Sequence, residues 1–162
     1  MSRTTKTRSF YLAHPMFDWI LPLLVFVVWA AVGWPPIEED VSGTLYLGTS
    51  AAAGIALATA AFVASQLFGS TAKYIEAARQ MYGVEIRRNW LSIFVWLLIA
   101  TVTPLVSIML SSSIPLLAFG LGLLALSILT SRFLRVIGWF ALVTSLAAVS
   151  ERLGDPIRPT LK

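Results

Sequence analysis

Charged side chains are sparse in this chain, and the intervals between them decide what it can fold into. Asp18 is followed by 19 uncharged residues up to Glu38, and Asp40 by 32 up to Lys73. Arg88 is followed by 43 up to Arg132, and Arg135 by 15 up to Glu151. A bilayer core ~30 Å thick is crossed by a helix of about 20 apolar residues. The first interval therefore fits one span and the second one span with flanks. The third fits two spans, divided at Ser111-Ser112-Ser113-Ile114-Pro115, where serines and a proline favour a tight turn. The expected spans are 17–34, 45–69, 90–111 and 114–134. A closed β-barrel would need short alternating strands, whereas these runs are continuously apolar, so helices are predicted.

Composition agrees with this reading. Of 162 residues, 57% are hydrophobic and 12% charged, against about 25% charge in a soluble domain. A water-soluble globule and a disordered chain are both excluded. The absence of cysteine removes disulfides, iron–sulfur clusters and thiol catalysis. The fold class expected is all-α, a polytopic transmembrane helix bundle forming one domain over 1–162 and assembling as a homo-oligomer.

Lys and Arg counts in the connections set orientation. The N-terminal tail carries Arg3, Lys6 and Arg8, and the 70–89 connection carries Lys73, Arg79, Arg87 and Arg88. The 35–44 connection has only Glu38, Glu39 and Asp40, and the serine turn is uncharged. Both termini are therefore expected in the cytoplasm, with Arg132 and Arg135 closing the fourth span on that side. The apolar segment 136–150 admits two arrangements. A fifth span would leave two arginines as its turn and place Arg152, Arg158 and Lys162 outside. A long or bent continuation of the fourth helix, packed on its neighbours, is favoured. At the N-terminus, the basic start and the apolar run 20–29 imitate a cleaved signal peptide. Pro22 and the aromatic flanks Phe17, Trp19 and Trp34 favour a retained helix instead.

The second helix carries the clearest pattern. Ala52, Ala56, Ala60 and Ala64 repeat at i+4, beside a second small stripe of Ser50, Gly54, Ala58, Ala61 and Ser65. Small residues let backbones approach closely in lipid, so this helix is expected to be the packing centre, within the chain, between copies, or both. Pro104 lies inside the third helix after Thr101 and Thr103, with Ser107 one turn on. A kink there is expected, with hydroxyls satisfying the freed carbonyl, and a hinge or pore lining is the functional form of that feature. Gly120 and Gly122 offer a close-approach point opposite it. The 70–89 connection reads as a helical extension over 72–81, capped by Ser70-Thr71 and ended by Gly83. It either lies against headgroups or docks a cytosolic partner through Lys73, Arg79, Arg87 and Arg88.

Catalytic and cofactor signals are absent. The single histidine, His14, cannot build a metal or haem pair, and no triad, phosphate loop or paired carboxylate appears. No enzyme activity, cofactor, metal or nucleic-acid partner is expected. Asp18 reads as a charge favourable to a helix dipole, and Arg132 with Arg135 as anchors at a helix end. Glu38, Glu39 and Asp40 read as solvated acids on an outer loop, with weak cation attraction as the other reading.

The layout resembles the small four-helix phage-exclusion membrane proteins of the RexB type. The resemblance runs over 38–135: the acidic outer loop, the alanine-rich helix 51–67, the basic connection 69–88 and the hairpin 109–115. The longer N-terminal tail and the segment 136–150 depart from it. The resemblance implies an oligomeric ion-conducting or depolarising effector of the bacterial inner membrane, switched on by a cytosolic sensor during phage infection. The residues alone leave two other roles open. One is an accessory or anchoring subunit of a larger membrane complex, and the other a small transporter of a hydrophobic substrate.

Overall fold

The computed structural model describes residues 18–32 and 39–153, with backbone alone for 39–40 and 150–153. They form four helices: α1 (Ile20–Ala31), α2 (Glu39–Gly69), α3 (Lys73–Leu110) and α4 (Pro115–Leu153). Among the described residues there is no strand, and the all-α bundle read from the charge intervals is the fold. The basic tail, His14, Phe17, Trp34, Glu38 and everything past Leu153 lie outside the described residues.

Three segments, Val41–Gly69, Lys73–Leu110 and Pro115–Val149, are long and apolar enough to cross a membrane. Helix α1 is the exception. Its 12 residues rise ~18 Å, well short of a hydrocarbon core; residues 17, 33 and 34 of the expected span 17–34 lie outside the described residues. The serine turn falls where expected. Ser113 and Ile114 donate backbone N–H groups to the Leu110 carbonyl at 3.1 and 2.9 Å, and Pro115 opens α4 at the position where its missing N–H costs nothing. No turn follows Arg135. The 39 residues of α4 run ~58 Å without interruption, so 136–150 continues the fourth helix rather than forming a separate fifth one.

Gly83 does not end the extension that begins at Lys73. The backbone leaves helical geometry at Tyr82 (φ −125°, ψ 19°) and then resumes. Resumption has a packing cause, because Ile86 and Trp90 on the far side of the break are buried in the bundle seam. Pro104, by contrast, lies within continuous helical backbone.

The core is a seam shared by α2, α3 and α4. Helix α2 contributes Ala53, Ala56, Ala60, Val63, Ala64 and Leu67, at helical spacing along one face. Helix α3 contributes Ile86, Trp90, Ile93, Leu97 and Ala100, and α4 contributes Ile128, Leu129, Val136, Trp139 and Val143. The alanines bring backbones close where lipid supplies no hydrophobic drive. At the other end, Trp90 meets Trp139 at 6.0 Å between centroids, so the distal part of α4 is packed and not a free tail. Helix α1 lies antiparallel along α4: Trp29 meets Phe119 at 5.8 Å, and Asp18 meets Arg135.

Candidate functional site

Arg132 and Arg135 stand three residues apart, hence on one face of α4, and that face points inward. Asp18 immediately precedes α1 and is brought to both. The Arg135 guanidinium donates through Nε to Asp18 Oδ2 at 2.8 Å and through Nη2 to Oδ1 at 2.9 Å, a bidentate pair. Arg132 Nη1 lies 2.5 Å from the same Oδ2. Asp18 and Arg132 are each 3% exposed and Arg135 is fully enclosed. Aromatic rings close the site. The Arg132 guanidinium sits 5.8 Å from the centroid of Trp96, and Trp19 meets Trp96 edge-on at 4.8 Å. A cation over an indole face gains electrostatic stabilisation, more so when water is excluded.

The depth of this cluster follows from α3. Trp96 is eight residues, ~12 Å, from Arg88 and fourteen residues, ~21 Å, from Leu110. Asp18, Arg132 and Arg135 are therefore level with the interior of the uncharged stretch of α3, not with its charged end. This corrects the expectation that the arginines are anchors at a helix end; Asp18 does stand at the N-terminal end of α1, where a negative charge is favourable, and is in addition paired with both. Ionisable groups at such depth are expensive unless paired with one another, and the pairing supplies the physical reason. The arrangement can hold α1 against α4, or release it. Among the described residues no three His, Cys, Asp or Glu side chains come together as metal ligands.

The small residues divide between two faces. Ala56, Ala60 and Ala64 are buried in the seam, while Ala52 and Gly54 face outward; a Cβ on Gly54 would meet nothing within 4 Å. Ala53, one position on from Ala52, takes the seam place in its stead. Gly120 and Gly122 are close-approach points, toward α1 and α2 respectively. A Cβ at Gly120 would stand 2.8 Å from the Trp29 ring, and one at Gly122 would stand 2.6 Å from that of Tyr46. Beside Gly120, an apolar groove of about 430 Å³ opens between α1 and α4, lined by Pro22, Phe26, Trp29 and Leu117 among others.

Pro104 and Ser107 are buried, and Thr101 and Thr103 half-buried. Each hydroxyl is spent on its own helix: Thr101 donates to the Leu97 carbonyl at 2.8 Å, Thr103 to Ile99 at 2.7 Å and Ser107 to Thr103 at 3.0 Å. Ser50 of α2 donates to the Thr101 carbonyl at 3.2 Å, tying the two helices at this level. Of the four basic residues in the connection, Lys73, Arg87 and Arg88 are exposed. Arg79 turns back, donating to the carbonyls of Phe68 and Ser70 at the end of α2.

Comparison with known proteins finds no matching family model, no curated relative and no solved structure similar to this chain. The site thus rests on its own geometry. Sequence reasoning missed the union of Asp18 with the two arginines. The usable signal was their isolation: an acid at the start of one apolar run and two bases inside another need each other once both runs enter lipid.

Proposed function

We propose that this integral membrane protein is a non-catalytic effector of the bacterial inner membrane that acts as a homo-oligomer, conducting ions or perturbing the bilayer. The enclosed cluster of Asp18, Arg132 and Arg135 carries this reading. A structural bundle gains little from buried charge that apolar residues would not supply better, whereas a device that must change state gains a polar latch. Here the latch fastens the short α1 to α4. Opening it frees α1 and lets α3 rearrange about Pro104, turning Thr101, Thr103 and Ser107 toward a path between copies. The outward stripe with Ala52 and Gly54 on α2 is the surface on which copies meet. A cytosolic sensor protein engages the Lys73, Arg87 and Arg88 side. Phage exclusion is the biological setting, on the resemblance to the RexB-type proteins.

The test is conductance in a planar bilayer, together with the oligomeric state of the detergent-purified protein. The expected result is an oligomer with discrete channel events that increase in the Asp18→Asn variant. A monomer without conductance removes the reading, and wild-type conductance in Pro104→Ala removes the hinge.

One observation favours a second reading, an accessory or anchoring subunit. Every hydroxyl of Thr101, Thr103 and Ser107 is bonded to its own backbone, so this stretch of α3 offers no free hydroxyl to line a polar path. That reading predicts stoichiometric co-purification with other membrane subunits and no conductance alone.

A further inference from the structure

The outward face of α3 is longer than a hydrocarbon core. From Val84 to Met109, exposed residues recur at alternating spacings of four and three: Val84, Arg88, Leu91, Val95, Leu98 and onward. This stripe covers 26 residues, ~38 Å from first to last, against a core of ~30 Å and a whole bilayer of about 40–45 Å. With Met109 at one edge of the core, Arg88 stands 21 residues away, ~32 Å, at the opposite edge, from which its long side chain extends into the headgroup layer. Val84, 83% exposed, and Met81, 73% exposed, are apolar groups too prominent for open water and suited to the headgroup layer. Between them the chain breaks helix at Tyr82, leaving an open hollow of about 330 Å³ bounded by Arg79, Tyr82, Val84, Glu85 and Arg87, two bases against one acid. The break is braced, because Arg79 fastens the preceding segment to the end of α2.

We propose that the Tyr82 hollow and the pair Arg87 and Arg88 form a binding site for the headgroup of an anionic phospholipid in the adjoining leaflet. Charge complementarity commits the site to that occupant. From Lys73 to Arg88 there are four basic residues against the two acids Glu76 and Glu85, and Glu76 is partnered by Gln80 at 3.4 Å. Arg87 and Arg88 reach the phosphate, the Tyr82 ring lies at the polar boundary, and Val84 with Met81 seats the upper acyl chains. The proposal depends on the chain crossing a bilayer and not on whether it conducts ions.

Native mass spectrometry of the full chain, titrated with phosphatidylglycerol or phosphatidylcholine of matched acyl chains, tests it. The expected result is preferential retention of phosphatidylglycerol. The preference should fall about 5-fold for Arg87→Gln or Arg88→Gln and about 30-fold for both together. Glu85→Gln, which removes the negative charge lining the hollow, should strengthen the preference. Equal retention of the two lipids overturns the proposal, as does a preference unchanged in the folded double variant. Binding of an acidic soluble protein at these arginines, with no lipid preference, overturns it too.

Discussion

Replacing the Asp18 carboxylate by an amide removes one charge and strands two. Asp18→Asn should destabilise the bundle by about 3–5 kcal/mol, because Arg132 and Arg135 stay enclosed without their carboxylate; thermal unfolding in detergent measures it. Replacing all three charges at once, Asp18→Leu with Arg132→Met and Arg135→Met, should return stability to the wild-type level or above. Loss of conductance in that stable triple variant would separate a working role from a structural one. At the glycines, the contrast is steric. Gly122→Ala drives a methyl into the buried Tyr46 ring and should cost about 1–3 kcal/mol, whereas Gly54→Ala meets nothing within 4 Å in its own chain and should raise stability by up to about 1 kcal/mol through helix propensity. The glycine contacts and the ionic cluster share a reason for having been hard to read. Spacing assigns a residue to a face of its own helix, but the face it meets across the bundle, 117 positions away for Asp18 and Arg135, is set by tertiary packing.

Elements were more legible than their contacts, because charge intervals and the serine turn are local signals. The turn at 111–115 and the course of α2 follow directly from them. The break at Tyr82 is less visible: Gly83 marks a weak point, but only the burial of Ile86 and Trp90 decides that the helix resumes. Pro104 keeps helical backbone, with the hydroxyls of Thr101, Thr103 and Ser107 bonded to carbonyls around it. The brace at the break is testable at this scale. Arg79→Ala frees the Phe68 and Ser70 carbonyls and should cost ~1 kcal/mol. Faster amide exchange over 66–82, with the rest of α3 unchanged, is the expected signature.

For the whole molecule, the seam buries one small-residue face of α2 and leaves the other facing outward. If copies meet there, Gly54→Leu should shift the purified protein toward monomer and lower its unfolding temperature only by the share that assembly contributes, since the substitution leaves the seam untouched. Cross-linking yield in vesicles checks the first half and calorimetry the second. An unchanged oligomer would move the contact to another face. Class and helix number were legible from the distribution of charge, which reports the solvent each segment meets. The assembly and the working state are written in surfaces between faces, which one chain's periodicity does not pair.

Helix α4 has a mechanical property that follows from where its salt bridge sits. Arg135 divides the rod into two arms, 20 residues to Pro115 and 18 to Leu153, or ~30 Å and ~27 Å. Both arms are gripped by the seam as well, through Ile128 and Leu129 on one side and Trp139 and Val143 on the other, so the ionic cluster is a polar rivet at the middle of a rod that is clamped along its length.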